Sequence, residues 1–343
     1  MAHSRFRPYL INSLLLVLAL LASVAIGAVY IAPATVLRIF LGHLPGVNMA
    51  GDWPATAVTI IMQVRLPHTV LVALTGAALA GSGAAYQGLF RNPLADPYLI
   101  GVASGAGLGA VLAMSRSWPT NWLALYAVPV AAFLGAVVTI IIVYTLARTG
   151  PTLQTTTLIL AGVAFSSFAT ALTSFLMLRS NAELRRALGW LLGGSILSGW
   201  TPVLAMLPYV TVGLLLLLTM GHTLNVLQFG DDQAQQMGLN VERSKRLLII
   251  AASLTTAAAV AFSGIIGFVG LIVPHLVRLL WGPDYRHLTP LSIIGGGTLL
   301  LLADILARVV LAPQVLPVGV VTALAGAPFF LWILYRAKAK VMW

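Results

Sequence analysis

The chain has 343 residues, of which 59% are hydrophobic and 8% are charged, and its formal net charge at pH 7 is +11. Soluble domains carry about 25% charged residues, so this composition excludes an ordinary water-soluble enzyme. The absence of cysteine excludes disulfides, thiol chemistry and cysteine-bound clusters. The 19 Lys and Arg are spread along the chain rather than gathered on one face, which argues against a nucleic-acid partner.

Taken in chain order, apolar segments separated by charges and turn residues predict ten membrane-spanning helices, because one crossing needs about 20 apolar residues. Two stretches, 94–109 and 263–275, are rich in Gly and Pro and predict short or broken helices. The ten predicted spans are 10–32, 63–87, 94–114, 122–146, 153–178, 202–221, 246–263, 266–281, 288–308 and 318–336.

An even number of spans places both termini on the same side of the membrane. If that side is the cytoplasm, twelve of the nineteen Lys and Arg lie in inner loops and ends. This distribution agrees with the excess of positive charge that cytoplasmic loops carry. We therefore expect a multi-pass protein with both termini cytoplasmic, and residues 1–343 are predicted to form a single transmembrane domain.

The sequence contains a weak internal repeat. Shifting the chain by 181 positions aligns Thr75–Pro93 with Thr256–Pro274, and seven of the 19 positions are identical. The two copies begin five predicted spans apart, an odd number, so they cross the membrane in opposite directions. Inverted repeats of this kind are common in transporters. The alternative is that both segments share the small-residue composition of membrane helices.

Few ionisable groups are available for coupling transport to an ion gradient. Of the eight carboxylates, only Asp304 lies well inside a predicted span, and Arg308 follows one helical turn later, where the two side chains can pair. Ion-coupled carriers need ionisable groups near the middle of the bilayer. An ion-coupled secondary transporter is therefore disfavoured and is kept as the alternative function.

The chain also lacks the motifs of an enzyme. No G-x-x-x-x-G-K-[ST] motif is present, so an ATPase that drives this chain must be another polypeptide. An intramembrane serine protease would use Ser82, Ser104 or Ser263 with His222 or His275 as the base. Small residues in spans more often form close helix contacts, and no G-x-S-G motif occurs. The scattered histidines predict no metal site.

One polar segment interrupts the apolar pattern on the cytoplasmic side. Residues 223–240, TLNVLQFGDDQAQQMGLN, predict a small helix between two spans, with Asp231 or Asp232 at its N-cap and Gly238 at its end. We call this segment the knob. A solvated loop is the simpler interpretation, and a contact for a soluble partner is the functional one.

Several long motifs resemble those of the FecCD family of permeases, and they occur in the order found in that family. They are VRLPHTVLVALTGAALAGSGAAYQGLFRNPLADPYLIGVASGAGLGA (64–110), LILAGVAF (158–165), GFVGLIVPHLVR (267–278), LLLADILAR (300–308) and LPVGVVTALAGAPFFLWIL (316–334). The resemblance covers about residues 10–338. FecCD permeases are the membrane subunits of type II ATP-binding-cassette importers for iron–siderophores, haem and cobalamin.

The resemblance implies an all-α polytopic membrane protein with about ten transmembrane helices. It also implies a homodimer in the bacterial or archaeal inner membrane, surrounded by lipid, with two ABC ATPase subunits below it. A periplasmic or lipoprotein-anchored substrate-binding protein would dock above. On this basis the chain itself binds no cofactor, and ATP and Mg are held by the ATPase.

The family's motifs also imply roles for particular residues. Binding-protein docking falls on Arg65, His68 and Arg308, and His68 departs from the arginine usual there in cobalamin permeases, which makes that contact weaker or pH-dependent. The remaining implied residues fall into three groups. They are Phe229, Asp231, Asp232, Gln235, Met237 and Gly238 for ATPase coupling, Asn92, Leu94, Thr155 and Thr156 for a cytoplasmic gate, and Gly162, Ser166, Ser167, Thr170 and Thr322 for the translocation path.

The sequence therefore predicts a non-catalytic permease subunit that moves a metal chelate into the cytoplasm. An iron–siderophore is the favoured cargo, and cobalamin or haem are the alternatives.

Overall fold

The computed structural model describes residues 6–27, 31–42, 53–116, 122–150, 152–178, 181–195 and 197–341. Within these ranges the chain is helical, apart from the connections and one β-hairpin whose two strands have two residues each. The helices are α1 (Arg7–Ala25), α2 (Pro33–Gly42), α3 (Ala55–Thr59), α4 (Leu66–Leu89), α5 (Val102–Met114), α6 (Trp122–Ala147), α7 (Thr155–Leu178), α8 (Asn181–Leu191), α9 (Trp200–Thr219), α10 (Gly221–Leu227), α11 (Asp231–Gln236), α12 (Val241–Ser263), α13 (Val269–Trp281), α14 (Tyr285–Val309) and α15 (Val318–Val341). The hairpin pairs β1 (Arg148–Thr149) with β2 (Thr152–Leu153), antiparallel.

Each of the ten predicted spans overlaps one of these helices. Seven helical segments in the described part of the chain are long and apolar enough to cross a membrane, by length and composition. They are α1, the continuous helical run Ala55–Leu89, α6, α7, α9, α12 and α14. The protein is therefore multi-pass, as predicted.

The two Gly- and Pro-rich stretches do form short helices, as predicted. Both α5 and α13 have 13 residues, too few to cross a bilayer. A glycine in the left-handed region, Gly101 with φ 84°, begins α5, and Phe268 with φ 69° precedes α13. Broken helices at membrane depth must be covered by protein or line a polar cavity, because their free backbone groups need partners.

The structure also corrects the predicted boundaries. The second span begins at Ala55 rather than near 63, and the run Ala55–Leu89 includes a π-helical segment, Ile60–Arg65. Helices α2 and α8 were not predicted. Both are short and carry arginines, which made their segments resemble loops.

Helix α4 lies at the centre of the fold and packs against α9, α12, α13 and α14. The closest approaches occur where glycines face each other. A Cβ built on Gly76 would lie 2.2 Å from the carbonyl oxygen of Gly296, and one on Gly83 would lie 1.9 Å from that of Gly270. Small residues allow helix backbones to touch in this way, which is how membrane helices associate.

The two copies of the internal repeat are in contact. Thr75 Oγ1 of the first copy lies 2.6 Å from Ser263 Oγ of the second, and both hydroxyls are buried. Their local structures differ. The first copy stays helical to Leu89, whereas the second is interrupted between Ser263 and Val269.

Candidate functional site

The residues predicted to dock a binding protein lie together where α1 ends and α4 begins. Arg65 Nη1 donates to the carbonyl oxygens of Val24 and Ala25 at 2.9 and 3.0 Å. Arg308 Nη1 donates to the carbonyl oxygen of Ile26 at 2.7 Å. The last carbonyls of a helix have no partner within the helix, so both guanidinium groups satisfy the C-terminal end of α1.

Asp304 links the other two members of this cluster. Its carboxylate is 7% exposed; Oδ1 lies 2.9 Å from His68 Nε2, and Oδ2 lies 2.9 Å from Arg308 Nη2. The contact with Oδ2 is an ion pair without the alignment of a hydrogen bond. The predicted pairing of Asp304 with Arg308 across one helical turn is thus confirmed. The His68 side chain is 41% exposed and that of Arg308 13%, so His68 presents most of the cluster's accessible surface.

A cavity of about 550 Å³ adjoins this cluster. His68 and Asp304 line one side, and Arg185 and Arg186 of α8 lie on the lining as well. The wall includes the buried indole of Trp190. The cavity therefore combines charged groups with an apolar wall.

The knob contains two short helices, α10 and α11, where the residue pattern predicts one small helix and the family resemblance implies paired coupling helices at about 223–240. The N-cap of α11 is Gly230 with φ 102°, not Asp231 or Asp232, so the predicted aspartate cap is wrong. The reason is a tertiary contact, because the Asp231 carboxylate pairs with Lys245 Nζ of α12, whose side chain is 3% exposed. Gly238 follows α11 with φ 85°, as predicted.

Side-chain hydrogen bonds fix the knob to the spans. Gln228 Nε2 donates to the carbonyl oxygen of Gly88, at the end of α4, at 3.0 Å. Asn225 Nδ2 donates to Asp284 Oδ1 at 2.6 Å, just before α14 begins. Hydrogen bonds from Arg286, and to a smaller extent from Asn225, hold the pKa of the Asp284 carboxyl well below its usual range.

Two large apolar side chains of the knob are left uncovered. Phe229 is 63% and Met237 is 60% exposed, in a segment otherwise held firmly against the protein. Aromatic residues and methionine are enriched in protein interfaces. This arrangement fits a contact with a partner better than it fits a solvated loop.

One pair of predicted gate residues lies next to the knob. Thr155 and Thr156 line a groove of about 400 Å³ together with Asp231, Asp232 and Gln235 of the coupling group. Two sets of residues with different predicted roles therefore share one groove.

The hairpin that leads into α7 is bonded to the segment that follows the knob. Glu242 Oε2, in the first turn of α12, accepts a hydrogen bond from the backbone N–H of Leu153 at 3.1 Å. The other two gate residues lie apart from the groove, in the turn after α4, where Asn92 Oδ1 accepts from the N–H of Leu94 at 2.9 Å.

Three of the predicted path residues line a single cavity of about 630 Å³ on α7, namely Ser166, Ser167 and Thr170. The other two lie elsewhere. Gly162 is buried where a Cβ would lie 2.2 Å from the carbonyl oxygen of Leu99. Thr322 is 6% exposed and donates to the carbonyl oxygen of Gly319.

Asp96 also lines the α7 cavity and is not among the predicted site residues, because it lies at the end of the predicted span 94–114. A local signal was available. Asp96 precedes Pro97, and an aspartate followed by proline is a typical helix start. The neighbouring residues on α7 are about 70 positions away along the chain, so its place in a cavity was not visible in the sequence.

Of the three serines considered as protease nucleophiles, Ser104 and Ser263 have hydroxyl partners, and the buried Ser82 hydroxyl has no hydrogen-bond partner among the described residues. Ser263 Oγ contacts Thr75, and Ser104 Oγ donates to Ser166 Oγ at 3.0 Å. In the described part of the chain neither serine is paired with a histidine base. The geometry gives no support to the protease alternative.

The chain forms a multi-pass helical bundle with a hydroxyl-lined cavity and a knob that exposes apolar side chains. These features together are those expected of the membrane subunit of a transporter. The chain belongs to the FecCD transport family, whose profile matches residues 15–336. The prediction of a FecCD permease, the membrane subunit of an ABC importer, is confirmed.

Named relatives and a solved structure agree with this assignment. The chain is 47% identical to the cobalamin import system permease protein BtuC of Halobacterium salinarum, over 84% of this chain and 77% of that protein. It is 41% identical to the hemin transport system permease protein HmuU of Yersinia pestis, over 82% and 84%. An inward-facing structure of a proposed metal-chelate type ABC transporter matches with a TM-score of 0.82 and 31% identity, covering 97% of this chain and 100% of that one. The all-α polytopic fold of a type II importer is thereby confirmed.

Proposed function

We propose that this permease moves a metal chelate into the cytoplasm, driven by ATP hydrolysis in a separate subunit. The family match over residues 15–336 carries the proposal. Because two named relatives are cobalamin and hemin permeases, we propose cobalamin and haem as the first cargoes to test, before an iron–siderophore.

The knob supports the division of labour between two polypeptides. It exposes Phe229 and Met237 and is tied to the ends of α4 and α12 through Gln228 and Asp231. A rigid element of this kind transmits movement of a bound partner to the spans as a rigid-body shift. ATP and Mg are bound by the partner in this proposal, and this chain contributes no catalytic residue.

The proposed assembly is a homodimer of this chain with two ABC ATPase subunits and a periplasmic or lipoprotein-anchored binding protein. It lies in the cytoplasmic membrane of a bacterium or archaeon with both termini inside. The polar α7 cavity supports the homodimer. Ser167 and Thr170 on its wall are exposed in the single chain, and a second copy would enclose them.

Reconstitution tests the function directly. The chain, its cognate ATPase and binding protein are placed in proteoliposomes, and uptake of cyanocobalamin, haem and a ferric siderophore is measured with and without internal ATP. We expect uptake of one of these cargoes only with ATP and only with an ATPase whose P-loop lysine is intact. Uptake by the permease alone under a proton gradient would instead establish the secondary transporter.

A further inference from the structure

Asp96 is held in a fixed orientation at the start of a short 3₁₀ turn, Pro97–Ile100. Its backbone is extended, with φ −112° and ψ 146°, and its Oδ1 accepts a hydrogen bond from the N–H of Tyr98 at 2.8 Å. Within the described residues Oδ2 has no protein partner. One carboxylate oxygen therefore anchors the turn and the other remains available.

The turn itself is locked between α7 and the break before α13. Tyr98 Oη donates to the carbonyl oxygen of Ile266 at 2.9 Å. On the other side Gly162 of α7 permits backbone contact with Leu99. The carboxylate is thus positioned by rigid neighbours on both sides.

Among the described residues that line the α7 cavity, Asp96 is the only one that carries a charge. The other polar lining residues of the cavity are Tyr98, Ser166, Ser167 and Thr170, which are all neutral hydroxyls. Among the described residues that line it there is no lysine, arginine or histidine. Where no opposite charge lies nearby, a single fixed charge sets the sign of the local potential.

The α7 wall of the cavity lies away from the gate residues at the start of that helix, whereas Asp96 is two residues from the gate residue Leu94. Ser166 is eleven residues after Thr155 on α7, a separation of about 16 Å at 1.5 Å per residue.

We propose that Asp96 makes this section of the translocation path selective for positively charged solutes, so that cationic chelates are favoured over anionic ones. The proposal rests on the proposed function, because it takes the α7 cavity as part of the path. A purely structural role makes a different prediction. Asparagine caps turns as well as aspartate does, so a structural cap would not depend on the charge.

The absence of native cysteine allows a direct test with charged thiol reagents. Ser167→Cys is made alone and together with Asp96→Asn, and each variant is assembled with the ATPase and binding protein in proteoliposomes. The labelling rates are measured with a cationic trimethylammonium methanethiosulfonate and with an anionic sulfonate analogue. We expect the ratio of cationic to anionic rates at position 167 to fall roughly 3- to 10-fold when Asp96 is neutralised.

The matched control places the thiol far from the cavity. Gln314→Cys is made with and without Asp96→Asn, and its rate ratio should be the same in both. An equal ratio at position 167 with aspartate and asparagine would overturn the proposal, and so would a thiol at 167 that neither reagent reaches. ATP-driven uptake measured in the same vesicles tests the proposed function separately, since the reagent ratio does not depend on it.

Discussion

The Asp304 carboxylate is buried between His68 and Arg308, and this contact determines how each basic residue can be used. Arg308 is committed to the end of α1 and to the carboxylate. His68 contacts only one carboxylate oxygen and is the more exposed of the two. We therefore predict that Arg308 acts mainly in stability and that, of these two predicted docking residues, His68 is the one more accessible to a binding protein.

Replacing Arg308 with methionine should destabilise the protein. The substitution leaves the buried Asp304 carboxylate with one partner and removes hydrogen bonds to the end of α1, a loss of about 3 kcal/mol. We expect a lower Tm in detergent. Arg286→Met, at a side chain that is 63% exposed, serves as the control and should change Tm little.

The double variant Asp304→Asn with Arg308→Met distinguishes an ion pair from simple packing. If the single substitution destabilises through an unpaired buried charge, the double variant should regain much of the lost Tm. A double variant no more stable than Arg308→Met would contradict this explanation.

Docking of a binding protein should respond to charge at His68. We expect His68→Glu to weaken docking by about 3- to 10-fold, mostly through slower association, because an exposed charge at the edge of an interface affects the on-rate. Surface plasmon resonance with the cognate binding protein measures both rates. His68→Gln is the matched control, since its neutral amide can still donate to Asp304. Equal binding by the glutamate and glutamine variants would remove His68 from the interface.

At the scale of single residues, side-chain contacts could be predicted from the sequence where the two residues lie close together in the chain. Asp304 and Arg308 were paired correctly because they are one helical turn apart. The Asp231 contact with Lys245 was missed because the two residues lie on different helices. Asp96 was missed for the same reason, since its cavity is formed with α7.

At the scale of elements, the knob and the beginning of α7 are connected through α12. Helix α12 begins five residues after α11 ends, and its Glu242 accepts the hydrogen bond of Leu153. Gln235 of α11 and Thr155 of α7 line the same groove. A shift of the knob would therefore be passed to the first turn of α7.

Removing the hydrogen bond between Glu242 and the N–H of Leu153 should uncouple ATP hydrolysis from transport. With Glu242→Ala we expect uptake per ATP hydrolysed to fall about 3- to 10-fold, consistent with losing a hydrogen bond to a charged group. Uptake and phosphate release are measured in the same proteoliposomes. Glu242→Gln keeps an acceptor for Leu153 and should retain most of the coupling, and Arg243→Gln controls for a change of charge in the same helical turn. Normal coupling in the alanine variant would show that the contact is only structural.

Element existence was predictable and element boundaries were less so. Long apolar runs gave the spans, and the Gly- and Pro-rich stretches gave the short α5 and α13. Helices α2 and α8 were not predicted, because their arginines interrupt the apolar pattern that indicates a helix. The division of the knob into two helices depends on the left-handed Gly230, which composition does not reveal.

At the scale of the whole molecule, the charge distribution predicts the orientation in the membrane. The knob is predicted to lie inside and the loop between α14 and α15 outside. Asp232→Cys should react with a membrane-impermeant maleimide only from the cytoplasmic side, and Gln314→Cys only from the opposite side, in intact cells and inverted vesicles. The opposite pattern would reverse the topology and place the docking cluster inside.

One helix joins the predicted docking cluster to the knob. Helix α4 has 24 residues, a length of about 36 Å, and starts directly after Arg65. It ends at Leu89, and the carbonyl oxygen of the preceding Gly88 accepts a hydrogen bond from Gln228 of the knob. A binding protein outside and an ATPase inside would then contact regions at opposite ends of helix α4. Communication across the bilayer would then be limited by the stiffness of a single helix, without any relay of intermediate rearrangements.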